Sequence, residues 1–308
     1  MTISGPGTID DLVHDAALAG HAVTKRLVHD WVSLGLLDRP QRRRTGPHGS
    51  DKALHSVHQR KLFQLLLGAR VGTPRIPLLA RIPLTIWLYG ESGAVPTRQA
   101  LRALVTHVGD PRGSKPRALE TARFLIAPLD DRRLGTAHLR REFLHAVRDA
   151  LYTGSFDGNH LLAKARPLFE PPELHRQVVY SRGLTAARTP ETLIFEVRVK
   201  MLGGRVIAEG GVSLADLEAI RELWLSMPPF SREGMLNDVG LPTAQAIETS
   251  GNWLVFSLGA QALSKHWSEA KPNAHRGSHS GKPQVAPPHL GSSSAPATDY
   301  QSATGRNT

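Results

Sequence analysis

In the stretch VTKRLVHDWVSLGLLDRP, Val23 to Pro40, a hydroxyl, an ammonium, a guanidinium and an imidazole come in close succession at Thr24, Lys25, Arg26 and His29. Such groups donate hydrogen bonds to phosphate oxygens and base edges, and their charge displaces the counterions condensed on a nucleic acid. Just beyond the stretch stand three more guanidinium groups, Arg42, Arg43 and Arg44, able to reach phosphates or a narrow minor groove. Between Ala22 and Arg70 ten Lys or Arg face three Asp, whereas the preceding segment carries Asp10, Asp11 and Asp15. The alternative for these cations is bland: the solvated face of an ordinary core helix and a solvated loop.

What positions them is a pattern of apolar residues. Val23, Leu27, Trp31 and Leu34 recur at steps of four, four and three, one stripe of a helix that Gly35 stops. With the stripe facing a core, Thr24, Lys25, Arg26, His29 and Ser33 are left on other faces. Upstream, TIDDLVHDAALAG begins with Thr and two Asp, suited to a helix N-terminus, and spaces Ile9, Leu12 and Ala16 helically before Gly20. Downstream, LLDRPQRRRTGPHGSDKALH flanks a Gly-Pro-His-Gly turn with extended, Arg-rich residues and reads as a small hairpin. HSVHQRKLFQLLLGARVG reads as a further helix. Helix, turn, helix, hairpin, helix is the order of a winged helix-turn-helix.

This region resembles the N-terminal DNA-binding region of the MerR family. That family's run of an aliphatic, two residues, an aromatic, three residues and Gly-Leu-Leu, then Pro and Arg, is matched by Val28, Trp31, Gly35-Leu36-Leu37, Pro40 and Arg42-Arg43. GARVGTPRIPL also resembles the family's turn after the helix that follows the wing. The resemblance covers roughly residues 8 to 80. It implies DNA contacts from Thr24, Arg26 and His29 on a recognition helix and from Arg43 on the wing, with Trp31 as a packing anchor. The chain departs from the family at His29, where Arg is usual, and at Gly46-Pro47-His48-Gly49, which lacks the wing Tyr. It also shows no sustained heptad, so promoter untwisting by a coiled-coil dimer is not implied.

The middle, from about Pro74 to Glu170, is mostly helical in pattern: SGAVPTRQALRALVTHVG, PRALETARFLIAPL and TAHLRREFLHAVRDALYTG, the last with Leu139, Phe143, Val147 and Leu151 on one side. In LIFEVRVKM, Phe195, Val197 and Val199 alternate with Glu196, Arg198 and Lys200, which predicts a strand and a hairpin turning at Gly203-Gly204. Thr189-Pro190 is the competing signal, a helix start. ADLEAIRELWLSM, capped by Ser213, and Thr243 to Leu263 read as helices. From Ser264 the chain is rich in Pro, Ser, Gly and His and poor in large aliphatics, so a disordered tail is expected.

With 38 basic against 27 acidic residues the formal charge is +11, suiting a polyanionic partner. There is no cysteine, which excludes disulfides, thiolate nucleophiles and Cys-bound metal, and fits a cytoplasmic protein. The most apolar run, IPLLARIPLTIWLYG, is cut by Pro77, Arg81 and Pro83, so no membrane span is expected. Among fifteen histidines, His55 and His58 stand three apart and His266, His275, His279 and His289 lie in the tail, without a third ligand in view. No G-x-S-x-G elbow or phosphate loop occurs, and Glu191, Glu196, Glu209 and Asp216 are scattered. No metal, cofactor or catalytic site is expected.

The expected fold is mainly α: a winged helix-turn-helix with a small β wing at 8–85, a mostly helical body with a β-hairpin at 86–263, and a disordered tail at 264–308. The expected partner is double-stranded DNA, with a homodimer and an effector of unspecified chemistry left open. Thr24, Lys25, Arg26, His29, Arg42, Arg43 and Arg44 are the candidate contacts. The favoured role is a sequence-specific transcriptional regulator. A mobile-element or phage accessory DNA-binding protein is the first alternative, and an enzyme or protein-interaction module with a scaffold helix-turn-helix is the second.

Overall fold

Capping hydroxyls stand at several helix starts, among them those of Thr8, Thr24, Thr136, Thr189 and Ser213. Thr8 caps α1 (Ile9–Leu18) in a reciprocal box with Asp11, and Thr24 caps α2 (Lys25–Ser33), accepting from the Leu27 amide at 3.4 Å. A computed structural model describes residues 3–41, 52–72, 75–90, 93–131, 134–170, 189–227 and 243–270. After α2 come α3 (Val57–Gly72), the single-turn α4 (Ile76–Leu79), α5 (Arg81–Tyr89), α6 (Thr97–Val108) and α7 (Lys115–Asp131). Then follow α8 (Ala137–Thr153), α9 (Gly158–Ala165), a 3-10 turn Arg166–Phe169, α10 (Pro190–Ala208), α11 (Leu214–Ser226) and α12 (Ala244–Ala270). The fold is mainly helical. Among the described residues β pairing is confined to two isolated antiparallel bridges, Gly7 with His55 and Gln41 with Leu54.

The apolar residues form two cores. The larger joins Leu12 of α1, Trp31 of α2, Phe63 of α3, Trp87 of α5 and Leu104 of α6 to Ile207, Trp224 and Leu258 of the last three helices. It therefore continues across residues 85–86. The smaller packs Phe143 and Val147 of α8 against α7, α9 and the first half of α10. Met1–Trp267 form one compact unit; Ser268–Thr308 form a second, of which residues 268–270 are described. Among the described residues no helix is long and apolar enough to cross a membrane.

Two sequence expectations are corrected. The β-hairpin turning at Gly203-Gly204 is instead the interior of α10. Thr189 caps this helix in a box with Thr192, Pro190 stands in its first turn, and Phe195, inward-facing in the strand reading, is 50% exposed. Gly203 is a notch rather than a turn: a Cβ there would meet the Val255 carbonyl oxygen, and one at Gly259 would meet that of Val199. Two helices thus cross in near backbone contact. The expected tail boundary at 264 also moves, because Ser264–Ala270 continue α12. No Gly or Pro interrupts them, and Lys265 is held by Asp216 at 3.0 Å. Residues 271–308 lie outside the described residues.

Candidate nucleic-acid interface

Trp31 and Val28 fix the rotation of α2. Trp31 is 1% exposed and meets Phe63 of α3 edge-on, with ring centroids 5.4 Å apart and planes at 73°; Val28 is fully buried beside it. That leaves Thr24, Lys25, Arg26 and His29 exposed, as the apolar stripe predicted. The exposed positions of α2 change character along its axis: cations occupy the first turn, while Asp30 and Ser33 stand toward the other end. A polyanion is attracted to the N-terminal half and repelled by Asp30.

The four side chains are not equivalent. Thr24 uses an oxygen lone pair in the helix cap, so its hydroxyl proton is what remains for an outside acceptor. Lys25 is ion-paired with Asp10 of α1, which Lys52 also approaches at 3.7 Å, and the two lysines draw the Asp10 carboxyl below its usual range. Both lysines are exposed, so water screens these pairs and a phosphate can compete for them. Arg26 has no ion pair among the described residues. His29 is exposed and lies near buried His55, whose proton affinity burial depresses; Asp38 opposes the shift and His29 adds to it. Arg42, Arg43 and Arg44 lie outside the described residues; what is described of that segment is its base, where Gln41 and Leu54 exchange backbone hydrogen bonds of 2.8 and 2.9 Å.

The loop after α2 is held by polar groups that lie some twenty to seventy residues further along the chain. Asp38, with its side chain 5% exposed, accepts from Arg98 at 2.7 and 3.2 Å and from Arg102 at 3.2 Å, both on α6. Its amide donates to Gln59, which donates to Gln99 at 2.8 Å, and Gln99 donates to the Leu36 carbonyl at 3.0 Å. Thr106 donates to the Leu34 carbonyl at 2.8 Å. Gly35 sits under this clamp with φ of 75°, and a Cβ there would come 2.3 Å from the Ala103 amide nitrogen. Only glycine fits both requirements. The one signal for the clamp in the sequence is the i, i+4, i+8 spacing of Arg98, Arg102 and Thr106.

The first helix is locked by another buried pair. Arg60 of α3 donates to both oxygens of Asp15 at 2.8 and 2.9 Å and to the Gly5 carbonyl at 2.8 Å. Of the carboxylates weighed for acid–base work, Glu209 pairs with Arg112 and Arg205, and Asp216, lowered to about 2 by Ser213 and Lys265, caps α11. Among the described residues no three His, Asp or Glu gather as a metal-holding group.

Comparison of the chain with protein-family models, with curated proteins and with solved structures gave no match.

Proposed function

We propose that this chain binds duplex DNA in a sequence-specific manner and acts as a transcriptional regulator, with α1 and α2 as a helix-turn-helix of MerR type and α2 as the recognition helix. The observation that carries the reading is the outward projection of Thr24, Lys25, Arg26 and His29 from a helix whose opposite side is pinned by Trp31. In this reading the first turn of α2 enters the major groove, Arg26 reads a base edge, and Lys25 exchanges Asp10 for a phosphate. Arg42, Arg43 and Arg44, beyond the Gln41–Leu54 bridge, supply backbone contacts from the wing.

The test is a fluorescence-anisotropy titration of the full chain against a duplex pool at two salt concentrations, followed by selection of preferred sequences. Arg26→Met is expected to relax base preference. Arg43→Met is expected to weaken all sequences alike and to lower the slope of log affinity against log salt by about one. Unchanged binding in both variants overturns the assignment.

A further inference from the structure

At the smaller core's junction with the larger, α4, α5, α6, α7, α8, α10 and α12 line an open cavity of about 840 Å³. Its size falls within the range of about 300–1,000 Å³ usual for sites that take small organic ligands. The wall has two chemical characters. Phe124, Phe156, Leu151 and Met201 present apolar surface, while six cationic side chains and three carboxylates line the remainder.

The three carboxylates already have cations of their own. Asp110 holds Arg112 at 3.0 Å, Glu209 holds Arg112 at 3.0 Å and Arg205 at 3.2 Å, and Glu120 holds Arg75 at 3.0 Å. Arg117 and Arg198 lack a carboxylate among the described residues. Arg117 donates weakly to the Val108 carbonyl at 3.3 Å, and the Arg198 guanidinium rests 5.8 Å from the Phe156 ring centre. Arg81 lies over the Phe124 ring at 5.0 Å. Guanidinium groups laid on aromatic faces are oriented without losing their charge, which suits them to a planar anion.

His107 lines the cavity beside Arg81 and Arg117. Burial, then the charge of Arg81, lowers its pKa to about 4; a hydrogen bond to the Pro77 carbonyl opposes this and Arg117 adds to it. The ring is therefore neutral at pH 7, its Nδ1 donating to Pro77 at 3.0 Å. Burial penalises charge of either sign there, and Arg81 and Arg117 add a smaller penalty specific to a cation.

We propose that the cavity is a binding site for a small organic anion, an acidic head group on an aromatic or other apolar body, with Arg117 and Arg198 meeting the head and Phe124 and Phe156 the body. This inference does not depend on DNA binding and is tested without DNA. The probe is naphthalene-2-sulfonate, titrated calorimetrically into the full chain, beside its cationic counterpart naphthalen-2-ylmethylammonium and inorganic phosphate. Saturable one-site binding of the sulfonate is expected, with phosphate at least tenfold weaker and no binding of the ammonium.

Arg117→Met and Arg198→Met are each expected to weaken the sulfonate about fivefold or more. Gly204→Leu fills the cavity: the nearest atom to a Cβ there is a Val108 methyl at 3.7 Å, an ordinary contact, so the added side chain grows into the space that Gly204 lines. This variant is expected to melt no lower than the parent and to lose the probe. Absence of saturation by the sulfonate overturns the proposal, as does equal binding of the ammonium. So does undiminished binding in both arginine variants, or in a folded Gly204→Leu.

Discussion

Arg26 and Arg98 stand at the two ends of one small region and do opposite things with the same side chain. Arg26 projects from the first turn of α2 with no ion pair among the described residues, whereas Arg98 and its neighbour Arg102 close over Asp38 just past the helix's other end. Arg60 behaves like the second pair, locked on Asp15 inside the protein. Counting cations therefore overstates the surface offered to a polyanion. Some of them hold the helix in place, and a smaller set is presented by it.

The largest effect should come from the clamp's least charged member. Gly35→Ala combines a left-handed backbone with a collision against the α6 backbone, and is expected to destabilise by about 3–5 kcal/mol in urea unfolding. Retention of the parent midpoint would mean that α6 does not press on this turn. Arg60→Met leaves Asp15 buried without its partner and is expected to cost about 3 kcal/mol, read in the same assay.

A smaller change is expected from acid. Burial would raise the Asp38 pKa, but Arg98, the Arg39 amide and Arg102 outweigh it and hold the carboxyl below its usual range. The folded protein then binds fewer protons at this group than the unfolded chain does. Its stabilisation is complete above about pH 5, clear of the unfolded carboxylate's titration, and is lost as pH falls through the lower folded value. Asp38→Asn is expected to flatten the acid limb of a stability–pH curve between pH 5 and pH 2, roughly the span in which such a carboxylate titrates; an unaltered limb would remove Asp38 from the clamp.

Smallest of all, Arg26→Met is expected to move the urea midpoint by no more than about 0.5 kcal/mol equivalent, because an exposed, unpaired side chain holds nothing together. Should it unfold the protein as Arg60→Met does, the contrast between holding and presenting cations disappears.

What could be read in the sequence was what neighbours along the chain decide. The rotation of α2 follows from the spacing of Leu27, Trp31 and Leu34, and the starts of α1 and α11 follow from Thr8 and Ser213, whereas Thr24, expected on the surface of α2, is its cap. The hairpin expectation rests on a short alternation at Phe195, Val197 and Val199, whereas the Thr189-Pro190 start opens a helix of 19 residues. Both signals are local, and neither foretells the passage of α12 across Gly203. Arg98 meets Asp38 across sixty residues, and the cavity needs seven helices in place before Arg117 and Arg198 share it. The spacing of Arg98, Arg102 and Thr106 puts three polar groups on one helix face, but nothing along the chain names Asp38 as their partner. The wing arginines Arg42, Arg43 and Arg44 lie beyond the described residues, so only the helix half of the expected interface has a geometry.

One rod touches both halves of the molecule. Through Arg98, Gln99, Arg102 and Thr106, α6 grips the turn behind α2, and through His107 and Val108 its last turn forms part of the cavity wall. Its twelve residues span about 18 Å, too short and too regular to bend without breaking backbone bonds. Were an anion bound in the cavity to shift α6, the turn behind α2 would feel it, and by linkage the two sites would then affect each other equally.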